Sequence, residues 1–256
     1  MKTTVFIAWR GGAPERGEWS PVGRLEHLDG EYRFVYTQGA LTLSGFHPFP
    51  AMPDLHTEYS SRRLFPVFSN RLLSSSRTEY ERWLAWSGFD SENPPAPLAI
   101  LGVTEGIRQT DALEMFPKPV PDNANNYHTR FFLHGMRHAP LQALERVKDF
   151  KSGKPLRLVF EDSNRYDQYA VAVFDNGVDS VRLGYVPRYL ARDVRQLDRA
   201  SIDLRVAKVN WYAPLQMRLL CTLKAPWPKS GFQPCTGPEF QSIAREACQK
   251  DPVLAV

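Results

Sequence analysis

Four consecutive residues, Asn164-Arg165-Tyr166-Asp167, put an amide, a guanidinium, a phenol ring and a carboxylate side by side. The amide can brace a corner, the cation can meet a phosphate, the ring can stack, and the carboxylate can accept a hydrogen bond from a hydroxyl. The corner therefore has the parts to hold a polar ligand. The same residue types also build turns with no ligand at all, because Asn and Asp bond their own backbone and a tyrosine can roof a core. Both readings stand at this point.

The elements that must position this corner are legible around it. Leu156-Arg157-Leu158-Val159-Phe160 alternates and predicts a strand, and a second strand returns through Tyr169 to Phe174. Asp175-Asn176-Gly177 suits the positive backbone angles of a tight turn, and a third strand follows from Val181 to Val186. Pro187 supplies a helix start, after which Tyr189, Leu190, Val194 and Leu197 share one helical face. The expected unit is a β-meander closed by a helix.

Other chemistry has little support. The chain shows no phosphate-cradling Gly-rich loop, no nucleophile motif and no paired metal-ligand spacing, so neither an enzyme nor a cofactor is expected. The six histidines are scattered, and His134 and His138 lie outside any obvious helix. Cys221, Cys235 and Cys248 lack zinc-site spacing and cannot all pair within one chain, which points to reduced thiols and a cytoplasmic location. A net charge of +4 permits nucleic-acid binding without demanding it. Arg188, Arg192, Arg195 and Arg199 could line one helix as a cationic row or, offset by Asp193, Asp198 and Asp203, simply form a solvated face.

Over the whole chain, 256 residues with 43% hydrophobic content suffice for one large or two small domains, and 21 prolines favour many short elements. No apolar run reaches bilayer-spanning length and no signal-peptide pattern opens the chain, so a soluble protein without a membrane partner is expected. The fold class is α+β. Thr3 to Trp9 reads as a buried strand, and Asp29-Gly30 turns a hairpin between Val22–Leu25 and Glu31–Tyr36. Leu64, Phe65, Phe68, Leu72 and Leu73 suit a helical surface, and a helix over Thr78 to Ser87 ends at Gly88. Leu98 to Gly102 reads as a strand and Thr110 to Glu114 as a short turn. The alternating prolines of residues 116–128 predict a linker between a first domain, 1–115, and a second, 129–225, with a tail at 226–256. The second domain starts with a strand through Phe131 and Leu133 and a helix from Pro140 to Phe150 with Leu141, Leu144 and Val147 on its face. It ends with strands over Ile202–Val206 and Gln216–Cys221. A short tail helix is expected from Pro238 to Gln249.

The run from Leu156 to Val173, followed by Leu183-Gly184-Tyr185-Val186-Pro187-Arg188-Tyr189, resembles the HIRAN domain. Phe131 to Arg137 looks like that family's opening strand, and Trp211 to Met217 extends the resemblance to cover about Thr129 to Leu223. The resemblance implies a small β-barrel with flanking helices that binds single-stranded DNA with a free 3′ hydroxyl, in a setting such as DNA repair. It implies that Asp167 holds the terminal hydroxyl, Tyr166 contacts the last base or sugar, Arg137 and Arg188 contact phosphates, Trp211 stacks on a base, Tyr185 offers a polar ring and Asn164 braces the corner. Arg188 stands where the family has a lysine, which keeps the charge and changes the geometry. His138-Ala139-Pro140 stands where the family often continues into tyrosines, and His138 joins the candidates on that account. Structural roles compete with each: Trp211 as a cap, Tyr166 as core, Arg137 paired with Asp162.

Residues 1–115 are similar to the N-terminal subdomain of HipA-type toxin kinases, on Val22–Leu25, Tyr32–Tyr36, Leu43-Ser44 and Phe65 to Leu72. The nucleotide-binding loop and catalytic aspartate of the kinase core have no counterpart in the remainder of the chain. This second resemblance implies an alternative function, an antitoxin-like or regulatory module docking on a HipA-type kinase, on a DNA-processing enzyme or on another protein.

Overall fold

A computed structural model describes residues 2–11, 18–108, 110–177, 179–228 and 231–244. The chain starts with β1 (Thr3–Trp9), β2 (Ser20–Leu28) and β3 (Glu31–Tyr36), then β4 (Tyr59–Ser61), α1 (Pro66–Ser69), α2 (Tyr80–Trp86), α3 (Pro97–Thr104) and β5 (Leu113–Pro117). The strands form one antiparallel sheet in the order β4-β3-β2-β1-β5. Asp29 and Gly30 both take positive φ, 53° and 79°, which is what a two-residue hairpin turn requires.

The uninterrupted apolar run of β1 has a definite cause. Side chains alternate across a strand, so Val5 and Ile7 enter the N-terminal core while Phe6 and Ala8 enter a second core on the opposite face. β5 does the same, sending Leu113 and Met115 one way and Phe116 the other. The first sheet is therefore a shared wall between two cores.

Three expectations for this half are corrected. Leu98 to Gly102 is helical within α3, because a short apolar run reads equally as strand or buried helix and Pro97 in the first turn favours the helix. Residues 113–117, read as the end of a turn and the start of a linker, are the edge strand β5, paired with β1. The helical surface after Ser60 shrinks to the single turn of α1, which Pro66 starts rather than interrupts.

The second half contains β6 (Asn126–Phe132), α4 (Leu141–Lys148), β7 (Leu156–Phe160), β8 (Val171–Asp175), β9 (Arg182–Tyr185), α5 (Arg188–Gln196), β10 (Asp203–Val209) and β11 (Leu219–Pro226). Residues 126–128, read as linker, belong to β6. The strands make two antiparallel three-stranded sheets, β10-β11-β6 and β7-β8-β9, around one apolar core. Single bridges join them, His134 to Tyr185 and Pro155 to Arg205, in place of the continuous ladders of a closed barrel. The β8–β9 connection is longer than a tight turn, running through residues 176–181 with Val181 N donating to Asp175 Oδ1 at 2.7 Å. On α4, Val147 is buried as its spacing predicts, whereas Leu141 is exposed. β11 starts at Leu219, because residues 215–217 form a 3₁₀ turn. The tail shows a 3₁₀ turn at Pro238–Phe240 and then leaves the expected helix, with Gln241 extended and Ser242 bridged to Thr37; the remainder from residue 245, with Cys248, lies outside the described residues. Cys221 is a free thiol that burial pushes up to about 12, and Cys235 is also free.

α2 docks its C-terminal end on the outside of the β10-β11-β6 sheet. Its last carbonyls have no helical partner, and cations or amides from the sheet supply the donors. Lys208 Nζ donates to Ala85 O, Arg130 Nη1 to Gly88 O at 3.1 Å, and Asn210 Nδ2 to both Trp86 O and Met217 O at 2.8 Å. Gly88 itself has φ +73° and ends the helix. Asn210 is buried, so Asn210→Ala strands two acceptors and is expected to lower stability by about 1–3 kcal/mol. Urea unfolding checks this; a midpoint matching the parent would mean that the docking of α2 does not depend on that amide.

Candidate functional site

A cavity of about 710 Å³ opens where the Asn164–Asp167 corner faces β9 and the start of α5. The corner's own bonds explain its shape. Asn164 Oδ1 accepts from Tyr166 N at 3.0 Å and Asp167 N at 3.1 Å, while its Nδ2 donates to Glu161 Oε2 at 2.7 Å. Asp167 Oδ1 accepts from Tyr169 N at 2.9 Å. The two readings of the corner thus coincide: it is a self-bonded turn and also a cavity wall.

Asp167 Oδ2 lies 3.9 Å from Arg188 Nε, a long ion pair across the cavity. Deeper in, Tyr185 Oη donates to Glu161 Oε2 at 3.2 Å and accepts from Arg182 Nη1 at 2.9 Å, with the Arg182 guanidinium 5.2 Å above the ring. Burial holds the Tyr185 phenol above its usual range against the opposing charge of Arg182, so the group is a neutral donor. At the rim Tyr166 is 66% exposed, with Arg165 stacked 4.9 Å from its ring. The cavity therefore combines cations, carboxylates and two phenol rings, one of them open to solvent.

The eight candidate residues divide. His138, Asn164, Tyr166, Asp167, Tyr185 and Arg188 line the cavity; Arg137 and Trp211 do not. Arg137 is exposed and its Nε donates to His138 Nε2 at 2.9 Å, one residue away from the wall. Asp162, its suggested partner, pairs instead with Arg195 at 2.6 Å. Trp211 sits on the loop after β10 with Lys148 and Arg218 over its ring, at 5.7 and 5.0 Å. The arginine row of α5 is mostly engaged in the fold. Arg192 pairs with Glu239 at 2.7 Å, and Arg199, expected on the same helix, falls instead on a 3₁₀ turn after it, 3.9 Å from the ring of Phe160.

Arg165, the cation of the corner itself, also lines the cavity, and so do His134, Glu161 and Arg182, which sequence reasoning did not place there. Glu161 could have been found from its closeness to the corner. Arg182 could not. It lies three residues before Tyr185, hence on the opposite face of a regular strand, but the β8–β9 register shifts there and brings the two together. His134 enters because its N donates to Tyr185 O at 3.0 Å and Tyr185 N returns a bond to His134 O at 2.9 Å. That approach needs Gly184, where a Cβ would fall 2.4 Å from His134 O. Among the described residues no group of three or more His, Cys, Asp or Glu side chains is placed to hold a metal, and no helix is long and apolar enough to cross a membrane.

Residues 126–227 match the family profile of the HIRAN domain. The match takes in all of β6 and closes just past β11. No curated protein matches the chain. Two solved structures are similar to part of it. One is a structural-genomics protein from Lactobacillus plantarum, 18% identical over 39% of this chain and 96% of that one, with a TM-score of 0.30. The other is the HIRAN domain of human HLTF, 18% identical over 41% of this chain and 84% of that one, with a TM-score of 0.28. The similarity of residues 1–115 to the HipA-type lobe finds no support in these comparisons.

Proposed function

We propose that the HIRAN domain at residues 126–227 binds nucleic acid in this cavity and takes the 3′-hydroxyl end of a single strand there. The carrying observation is the placement of the Asp167 carboxylate opposite Arg188 at one opening that Tyr166 and Tyr185 also line. A strand end offers a hydroxyl, a phosphate and a base face, and this opening has an acceptor, cations and rings to meet them. Asp167 keeps lone pairs free after accepting from Tyr169 N, so a terminal hydroxyl can donate to it. Arg188 and Arg182 are suited to the penultimate phosphate, which positions the strand without reading sequence. The exposed ring of Tyr166 is a platform on which any base can stack, worth roughly 1–3 kcal/mol. In this reading the chain binds and performs no reaction of its own.

Fluorescence anisotropy with the full chain tests the proposal. A labelled single strand with a free 3′ hydroxyl is expected to bind at least about tenfold tighter than the same strand with a 3′ phosphate, whose charge would face Asp167 and Glu161. Affinity should fall with added salt as phosphate contacts release counterions. Equal binding of the two ends, or no binding, would overturn the end-recognition reading.

A further inference from the structure

Glu105 is a glutamate where the backbone favours glycine. It ends α3 at φ +60°, a left-handed conformation usually left to Gly or Asn, and its side chain is buried. Such a residue persists where the surrounding structure depends on its side chain. The carboxylate crosses from the N-terminal lobe into the HIRAN domain. His134 Nε2 donates to its two oxygens at 2.9 and 2.8 Å, and Tyr189 Oη donates to Oε1 at 2.9 Å. Both are tied to the cavity: His134 lines it and carries the bridge to Tyr185, and Tyr189 follows the cavity-lining Arg188 on α5. Tyr189 is also clamped from the N-terminal side, its ring stacked on Phe116 at 4.6 Å and 7°.

We propose, on the reading that this cavity binds nucleic acid, that Glu105 is a positioning residue of the site. By holding His134 and Tyr189 on one carboxylate it sets both walls of the cavity and makes the N-terminal lobe part of the binding apparatus. The charges around His134 agree with this arrangement. Burial alone would push its imidazolium down, but Glu105 and then Glu114 outweigh burial and the nearby Arg10, leaving the ring above its ordinary value. Glu114 is itself buried on β5 and paired with Arg10 at 3.2 Å, with Trp19 Nε1 donating to it. On the cavity side the charged neighbours are Glu161, Arg165, Asp167, Arg182 and Arg188, with the His138 imidazole beside them. Glu105 thus favours the charged form of the His134 ring, and without it the ring gives up its proton at lower pH.

The test compares the full-length parent with Glu105→Gln, which keeps shape and removes charge, and with Glu105→Gly, which relieves the left-handed backbone. Anisotropy with the 3′-hydroxyl strand is read from about pH 6 to about pH 8, beside a ring-nitrogen NMR titration of His134. The parent should keep its affinity to higher pH than either variant does. Both variants should bind about tenfold more weakly near pH 8 and recover toward the parent near pH 6, with His134 titrating at lower pH. A loss by the same factor at every pH, which a merely structural role would produce, or no loss, overturns the role of Glu105 while leaving the cavity reading intact. A parent that binds no strand at any pH overturns both.

Discussion

Asp167→Asn is expected to bring the affinities for 3′-hydroxyl and 3′-phosphate strands to within a few-fold of each other, by weakening the first roughly tenfold to a hundredfold. A hydroxyl donating to a carboxylate gains about 1.5–3 kcal/mol, and a neutral amide oxygen returns only part of that. The phosphate-ended strand should gain, because one of the two carboxylates facing it has lost its charge. Asparagine is the informative replacement here, since its oxygen can still accept from Tyr169 N and keep the turn that Asp167 closes. Asp167→Ala should show the same loss with some loosening of the loop. Anisotropy on both strands at one salt concentration decides the matter, and an Asp167→Asn protein that discriminates as well as the parent would remove Asp167 from the recognition.

The largest effect on stability is expected from Asp193 and depends on pH. This carboxylate is buried on α5, where its Oδ2 accepts from Tyr127 Oη at 2.9 Å. Burial pushes it up to about 7, against the smaller opposing effects of the Tyr127 bond and of Arg192. The native state therefore holds a proton on Asp193 between about pH 4 and pH 7 that the unfolded chain has released. Binding more protons when folded means that this group's contribution falls as pH rises through that window. At about 1.36 kcal/mol per unit the loss approaches 4 kcal/mol by pH 7. Asp193→Asn has no proton to lose and can still accept from Tyr127, so it should match the parent near pH 4, apart from a constant offset, and exceed it by about 4 kcal/mol near pH 8. Urea midpoints across pH report the difference, and parallel curves for the two proteins would sink the assignment.

The shared wall between the two cores connects these effects. Phe6, Ala8 and Phe116 leave the first sheet to pack with the second core, so the apolar core of the HIRAN region includes residues that precede the profile match. A fragment cut near residue 126 would expose the Tyr189 face that Phe116 covers and remove Glu105 from His134.

Features that depend on near neighbours were legible in the amino-acid sequence. The apolar run Val5–Ala8 announced a strand buried on both faces, Asp29-Gly30 a hairpin, Leu156–Phe160 a strand, and Pro187 the start of α5. The corner at Asn164–Asp167 belongs with these, because its bonds span two or three residues and Asn or Asp makes them wherever the chain turns. The strand expected at Leu98–Gly102 failed for a related reason: a short run of apolar residues fixes burial but not the backbone angles. What the cavity contains was decided at longer range. Glu105 meets His134 and Tyr189 across 29 and 84 positions, Arg182 reaches Tyr185 through a register shift set by pairing with β8, and Trp211 is held by cations from α4 and the loop before β11. None of these partners leaves a mark in local spacing, because a charged or aromatic side chain is chosen for whatever the packed sheets bring beside it, and only the folded chain brings it there.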